Sequence, residues 1–152
     1  MKIAVGSDHR GFESKRRMLA MLNKCGHEVI DFGCNEPSAC DYPDYAILVA
    51  RAVAEKRAEV GILFDGSGIG MCITANKIRG IHAGLVHDDV TARRAREHHH
   101  CNVLCIGTDL QSEDSIRSII DVFLGTPLAE GRHDRRVAKI ISLEAHERGE
   151  NT

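Results

Sequence analysis

The chain lacks any apolar run long enough to cross a membrane, any repeat, any low-complexity tract and any linker. These absences exclude membrane spans, solenoids and strings of small domains. It also lacks a charge imbalance: the formal net charge is −2 and the isoelectric point is near 6.5, so no global field recruits nucleic acid. Six cysteines (Cys25, Cys34, Cys40, Cys72, Cys101 and Cys105) show no C-x-x-C spacing. Reduced thiols are the expectation, most of them packing residues, with Cys105 inside the apolar run Val103 to Ile106 the clearest case. Met1 to Gly6 passes directly into an apolar strand pattern, leaving no room for a leader, so we expect a cytoplasmic protein. Its expected partners are small molecules or other copies of itself. What is present is 152 residues of 43% hydrophobic composition, which fits one domain over residues 1–152 with a core that needs no disulfide or metal.

Short apolar runs alternate with amphipathic stretches throughout, the pattern of strand-helix units around a parallel sheet. Five strands are predicted: Lys2 to Ser7, Glu28 to Phe32, Val60 to Phe64, Ile81 to Val86 and Val103 to Ile106. Between them, Phe12 to Cys25 has an apolar stripe, with Lys15, Arg16, Arg17 and Lys24 on the other face and Gly26 as the stop. Further helices are expected over Asp44 to Arg57, with Pro43 in the first turn, Met71 to Ile78, Asp89 to His99, and Glu113 to Leu124 after the N-cap Ser112. A last helix, Arg135 to Arg148, carries Val137, Ile140, Ile141 and Ala145 as a stripe that must pack on its own domain or on another subunit.

In parallel sheets ligands sit beyond the carboxyl ends of the strands. The richest exit is Asp65 followed by Gly66, Ser67, Gly68, Ile69 and Gly70, where alternate glycines bring backbone N–H groups toward one point and a helix follows; a negatively charged oxygen is expected there. A tight strand-to-helix turn explains the same glycines. The spacing is not the dinucleotide fingerprint, since Met71 holds its last position, and no nucleotide-phosphate Gly-Lys-Ser/Thr occurs. Asp8 and His9 at the first exit read either as a helix cap with a solvated histidine or as ligands converging with the glycine loop. Glu97-His98-His99-His100-Cys101 resembles a metal motif, but neighbours on a helix diverge by about 100° and cannot meet one ion, so no metal is expected and one histidine near the helix end serves as acid or base. Arg132, Arg135 and Arg136 at a helix start oppose the dipole unless an anion compensates, which is compatible with phosphate binding as well as with plain solvation.

Taken in order, Gly6-Ser7-Asp8-His9-Arg10-Gly11, Asp41-Tyr42-Pro43, Gly66 to Gly70 with Ala75-Asn76-Lys77, His98 through Asn102-Val103-Leu104, and Gly131-Arg132-His133 resemble the type B ribose-5-phosphate isomerase and galactose-6-phosphate isomerase family nearly end to end. The resemblance implies an α/β, three-layer Rossmann-like domain with a five-stranded parallel sheet and an extra C-terminal helix. It further implies a homodimer or homotetramer with sites shared between subunits, no cofactor, and aldose-ketose isomerisation of a sugar phosphate through an enediolate. By position, Asp8 would hold sugar hydroxyls, His98 would open the ring, Ser67 would handle protons on the substrate oxygens, and the amides of Gly66, Gly68, Ile69 and Gly70 would hold the enediolate. His9, Arg132 and Arg136 would bind phosphate, and Tyr42, His99 and Asn102 would border the substrate.

The chain departs from that pattern at the base. One branch of the family has a cysteine at the position of Asp65 and another a glutamate at the position of Met71, and His99 replaces the family's asparagine. Asp65 is then the expected base and Cys72 the second candidate, with core packing as the competing role for Cys72. Two other functions fit parts of the sequence: a sugar-phosphate-binding subunit without turnover, and a metal-dependent hydrolase built on the histidine run.

Overall fold

The structure is a computed structural model that describes residues 1–150; the last two positions of the expected 1–152 domain lie outside the described residues. The strands are β1 (Lys2–Ser7), β2 (Glu28–Asp31), β3 (Val60–Asp65), β4 (Ala83–Leu85) and β5 (Val103–Gly107). The helices are α1 (Phe12–Lys24), α2 (Tyr42–Ala54), α3 (Ile69–Ala75), α4 (Asp89–His99), α5 (Glu113–Gly125) and α6 (Arg132–Glu147). All pairings are parallel and the order is β2-β1-β3-β5-β4.

Side chains alternate across the sheet, so one strand feeds two cores. Ile3, Val5, Ile62, Phe64, Leu104 and Ile106 face α1, α4 and α5, while Ala4, Leu63, Val103 and Cys105 face α2 and α3. Burial of both faces is why β1, β3 and β5 read as unbroken apolar runs. The chain winds outward from β1 to β2 and then returns past β1 to β3, so the direction of winding reverses between β1 and β3. Crevices for ligands open at such reversals, and here that crevice lies between Asp8 and Asp65.

Several boundaries differ from the sequence reading for local reasons. The strand expected from Ile81 to Val86 narrows to three residues because side-chain amides replace its ladder. Asn76 pairs with both the N–H and C=O of Ala83 (2.9 Å each), and Asn102 accepts from the His82 N–H (2.9 Å) and donates to the Gly80 carbonyl (2.9 Å). The last helix starts at Arg132, ahead of Arg135, since Gly131 turns the chain at φ 74° and its N–H donates to the Asp134 carboxylate at 2.8 Å. Of its stripe, Val137 is buried, whereas Ile140 and Ile141 are half exposed and Leu143 more so. A short 3-10 turn, Thr108–Leu110, follows β5 and was not foreseen. Gly26 (φ 83°) and the Ser112 cap fall where expected.

Lys15 is the main correction to the helix faces. It is 1% exposed, on the buried side of α1, where its ammonium donates to Asp31 Oδ1 (2.6 Å) and to the Cys34 carbonyl (2.7 Å). Asp31 Oδ1 also accepts from the Gly33 N–H, and the Cys34 N–H donates to the Ser7 carbonyl (2.9 Å), so the ammonium fastens the segment after β2 beneath the exit of β1. A buried cation is tolerable only when paired in this way. Lys15→Met is expected to lower unfolding stability by about 2–3 kcal/mol, below the ~3–5 typical of an orphaned buried charge because Asp31 keeps partial solvent access. Urea unfolding measures this, and a loss under ~0.5 kcal/mol would refute the role.

Candidate active site

Three strand exits are tied into one platform. The Asp8 N–H donates to the Phe64 carbonyl (3.2 Å), the Asp109 N–H donates to the Gly66 carbonyl (3.1 Å), and Thr108 Oγ1 donates to the carbonyls of Asp65 (3.1 Å) and Arg10 (3.3 Å). Glycines stand at three points where a Cβ would crowd a neighbour, the backbone at Gly11 and side chains that would have to move at Gly68 and Gly70. A Cβ on Gly11 would lie 2.4 Å from the Phe64 carbonyl oxygen, one on Gly68 would meet Leu85 at 2.4 Å, and one on Gly70 would strike the Tyr42 ring at 2.6 Å. Gly68 also sits at φ 79°, where side chains are strained.

Asp65 ends β3 with its carboxylate turned back under this loop, 4% exposed, and Oδ1 accepts from the Gly68 N–H at 2.5 Å. Burial pushes its carboxyl above the ordinary carboxylate value, against the pull of the Gly68 amide, and the negative charges of Asp8 and Asp109 push the same way. The loop is thus partly filled by its own carboxylate. Gly68 serves Asp65, and the Ile69 N–H donates to Ser67 Oγ (3.2 Å). Among the described residues, the Ser67 and Gly70 amides engage no acceptor of the chain. Asp8, 6% exposed, accepts from the N–H groups of Arg10 and Gly11 at Oδ1 and so closes the turn ahead of α1; the helix itself is capped at Gly11 without a side chain, which corrects the helix-cap reading of Asp8. His9 accepts the Cys40 N–H at Nδ1 (3.3 Å), which puts the proton on Nε2. Tyr42 and Ile69 are exposed beside the loop.

Cys72 is half-buried in α3, packed against the core shared with Cys105, and its thiol donates to the Ala83 carbonyl at 3.4 Å. Packing and chemistry coexist there: hydrogen bonding from the Cys105 thiol lowers Cys72 to about 7 despite burial, with help from Asn76. Burial drives Cys101 the other way, to about 12.

The remaining sequence candidates gather at the opposite end of the sheet. Helix α4 starts at the carboxyl edge and returns its C-terminus to the amino end of β5, so His98, His99 and Asn102 stand near Val103 while the glycine loop stands near Gly107. That is roughly 13 Å along the strand direction. There His98 stacks on His133 with centroids 4.2 Å apart and planes within 7°. Arg132 Nε donates to His133 Nε2 (3.4 Å), and burial, His98, Arg132 and Arg136 all push the His133 imidazolium toward its neutral form. His99 borders a groove of about 930 Å³ between β4, α4 and α6. His100 Nε2 lies 2.9 Å from the Ala129 carbonyl, and both ends of the Asn102 amide are spent on the β4 backbone. The histidine run therefore diverges, and among the described residues no three His, Cys, Asp or Glu converge as a metal ligand set. His133, Arg10 and Asp109 are site neighbours to which the sequence reading gave no role. Their signals were the Gly131-Arg132-His133 motif and the charged residues directly after β1 and β5.

Alkylation of Cys72 by iodoacetamide is expected at a rate that rises to half its limit near pH 7, because the thiolate is the nucleophile. Cys101 and Cys105, buried and shifted upward, are expected to stay unmodified in the folded protein. Mass-spectrometric rate profiles check both, and a Cys72 midpoint at or above the ordinary thiol value of about 8.5 contradicts the assignment.

Residues 3–140 match the family model described as Ribose/Galactose Isomerase. Ribose-5-phosphate isomerase B of Escherichia coli K12 is 41% identical over 143 residues, covering 94% of this chain and 96% of its own. The structure of ribose-5-phosphate isomerase B from Clostridium thermocellum superposes with a TM-score of 0.95 at 40% identity, over 97% of this chain and 99% of that one. The structure of ribose-5-phosphate isomerase B from Mycoplasma genitalium with bound ribulose 5-phosphate superposes with a TM-score of 0.91 at 39% identity, over 94% and 95%. A match of this extent over both sequence and fold leaves one conclusion: the chain belongs to the ribose/galactose isomerase family.

Proposed function

We propose that the protein is a cofactor-independent aldose-ketose isomerase of a sugar phosphate, ribose 5-phosphate or a related aldose phosphate of four to six carbons, working through an enediolate in the cytoplasm. The observation that carries the reading is Asp65, a buried carboxylate with an elevated pKa beside a glycine loop that has amides to spare. A carboxylate of modestly raised pKa is sufficient as a carbon-acid base.

In this reading His98 opens the sugar ring by proton transfer and Asp8 holds hydroxyls of the open chain. Asp65 then takes the proton from C2. The C–H electron pair forms the C1–C2 double bond, and the carbonyl electrons move to O1, where the Ser67 and Gly70 amides receive the charge. Ser67 carries a proton between O2 and O1, and Asp65 returns its proton to C1, leaving the carbonyl at C2. His9, Arg132 and Arg136 bind the phosphate. Tyr42, Gly66, Gly68, Ile69 and His99 border the substrate, and Asn102 acts through the backbone it clamps.

The site is shared between copies of the chain. His98, Arg132 and Arg136 stand at the opposite end of the sheet from Asp65, so one chain cannot bring both groups to one sugar, whereas a second copy can present its amino-end cluster to the first copy's carboxyl edge. The half-exposed Ile140 and Ile141 of α6 support burial against such a partner.

A second base is favoured by one observation: Cys72, at about 7, is substantially thiolate at neutral pH. Proton NMR in deuterated water, with ribose 5-phosphate and related aldose phosphates, separates the candidates by deuterium entry at C1 or C2. Asp65→Asn is expected to keep binding and lower turnover roughly 10²- to 10⁴-fold. The wild-type kcat/KM is expected to fall on the acid side through a pKa above the ordinary carboxylate value, because the base form is lost on protonation. Exchange lost in Cys72→Ala and kept in Asp65→Asn would transfer the role to Cys72. Binding without exchange in the wild type would make the protein a sugar-phosphate-binding subunit.

A further inference from the structure

Arg10 has no place in the site described so far, yet it lies directly on the glycine loop. Its Nε (3.1 Å) and Nη2 (2.5 Å) both donate to one oxygen, Asp109 Oδ2. A Cβ on Gly66 would meet that same oxygen at 2.8 Å and Arg10 Nε at 3.4 Å, so the pair forms the wall over the first residue of the loop. The Arg10 backbone is fixed as well: its N–H donates to Asp8 Oδ1 (2.9 Å) and its carbonyl accepts from Thr108 Oγ1. The guanidinium is thereby oriented without being used up. Gripping a single oxygen by one edge leaves Nη1 without an acceptor among the described residues, and the side chain is 56% exposed.

The charge around it gives that orientation a purpose. Asp8, Asp65 and Asp109 put three carboxylates at this edge, and Arg10 is the arginine held among them. A sugar phosphate brings a further anionic group, and the enediolate step develops another charge on a sugar oxygen. Two loop amides that could have answered this charge are already committed, Gly68 to Asp65 and Ile69 to Ser67. An anion entering here needs a cation that is preorganised and close, and a guanidinium clamped on one side with open N–H groups on the other meets both demands.

We propose that Arg10 donates to an anionic oxygen of the bound sugar phosphate, with Asp109 as the residue that positions it. The assignment rests on the isomerase reading and adds a substrate contact to it. Turnover and calorimetric binding of ribose 5-phosphate are measured on the full chain as wild type, R10A, R10K and D109N. R10A is expected to lose roughly 10- to 100-fold in kcat/KM, the effect of deleting a charge-assisted hydrogen bond, with R10K intermediate and added guanidinium restoring part of the R10A loss. A raised KM with weakened inhibition by inorganic phosphate assigns the contact to a phosphate oxygen. A lowered kcat with phosphate inhibition unchanged assigns it to the enediolate oxygen. The proposal is overturned if R10A stays within about two-fold of wild type. It is equally overturned if R10A and D109N lose activity alike and guanidinium rescues neither, the behaviour of a plain clasp between loops. A wild type that binds the sugar without turnover would strike the isomerase reading instead; R10A binding then decides, and binding equal to wild type overturns the proposal.

Discussion

Five parallel strands impose the constraint from which the rest follows: every strand exit lies at one edge of the sheet, and every helix that joins two strands must carry the chain back to the other. The exits of β1, β3 and β5 are neighbours in the sheet although far apart in sequence, so Asp8, Asp65 and Asp109 become one platform. The same rule removes α4's C-terminus, and with it His98, to the opposite end. A constellation split in this way is useless within one chain and becomes usable when copies of the chain pack so that unlike ends meet. In the proposed reading, sharing of the site between copies follows from acid-base groups placed at both ends of a parallel sheet, with the exposed Ile140 and Ile141 of α6 as its hydrophobic counterpart.

Within the platform, the decisive feature is where the Asp65 carboxylate points. Burial alone favours the neutral acid, and the Gly68 amide favours the anion. The balance leaves the group above its ordinary range without making it inert. A base at a carbon acid benefits from that compromise: a fully stabilised carboxylate has little affinity for a proton, and a fully desolvated one has already taken it up. The cost is that the loop spends an amide on its own side chain, which in the proposed reading leaves substrate charge to Ser67, Gly70 and neighbouring cations.

How much of this was legible in the sequence depended on the range of the interaction involved. The strands, the glycine turn, the Gly26 stop and the Ser112 cap are local patterns, and they emerged within a residue or two. The platform residues were legible because strand exits in a parallel sheet share an edge whatever the details. Lys15 was misread because its partners, Asp31 and the Cys34 carbonyl, lie beyond the next turn, and a lysine on a helix face carries no mark of an ion pair 16 residues away. The start of β4 was misread because side-chain amides can replace a ladder invisibly to hydrophobic patterning. The division of the candidate residues between two ends was implicit in helix length and direction, yet a resemblance read residue by residue joins them as one site.

Asn102 illustrates why joining by position needs geometry beside it. Its amide is saturated by Gly80 and His82, so removing it would first release the backbone leading into β4 and only then disturb anything at the amino-end cluster. Cys72 presents the opposite case. Sequence context favours a packing residue, yet the thiol's position between Cys105, Asn76 and the Ala83 carbonyl gives it acid-base character in the neutral range while it continues to pack. Asp65 and Cys72 sense each other's charge, since each anion raises the cost of the other. Two acids so coupled resist ionising together, and the group that ionises first holds the other back. Burial is the main push on Asp65, upward from the ordinary carboxylate value, whereas hydrogen bonding from Cys105 is the main pull on Cys72, down to about 7. In the proposed reading Asp65, whose carboxylate already engages the Gly68 amide of the glycine loop, has the prior claim to the role of base.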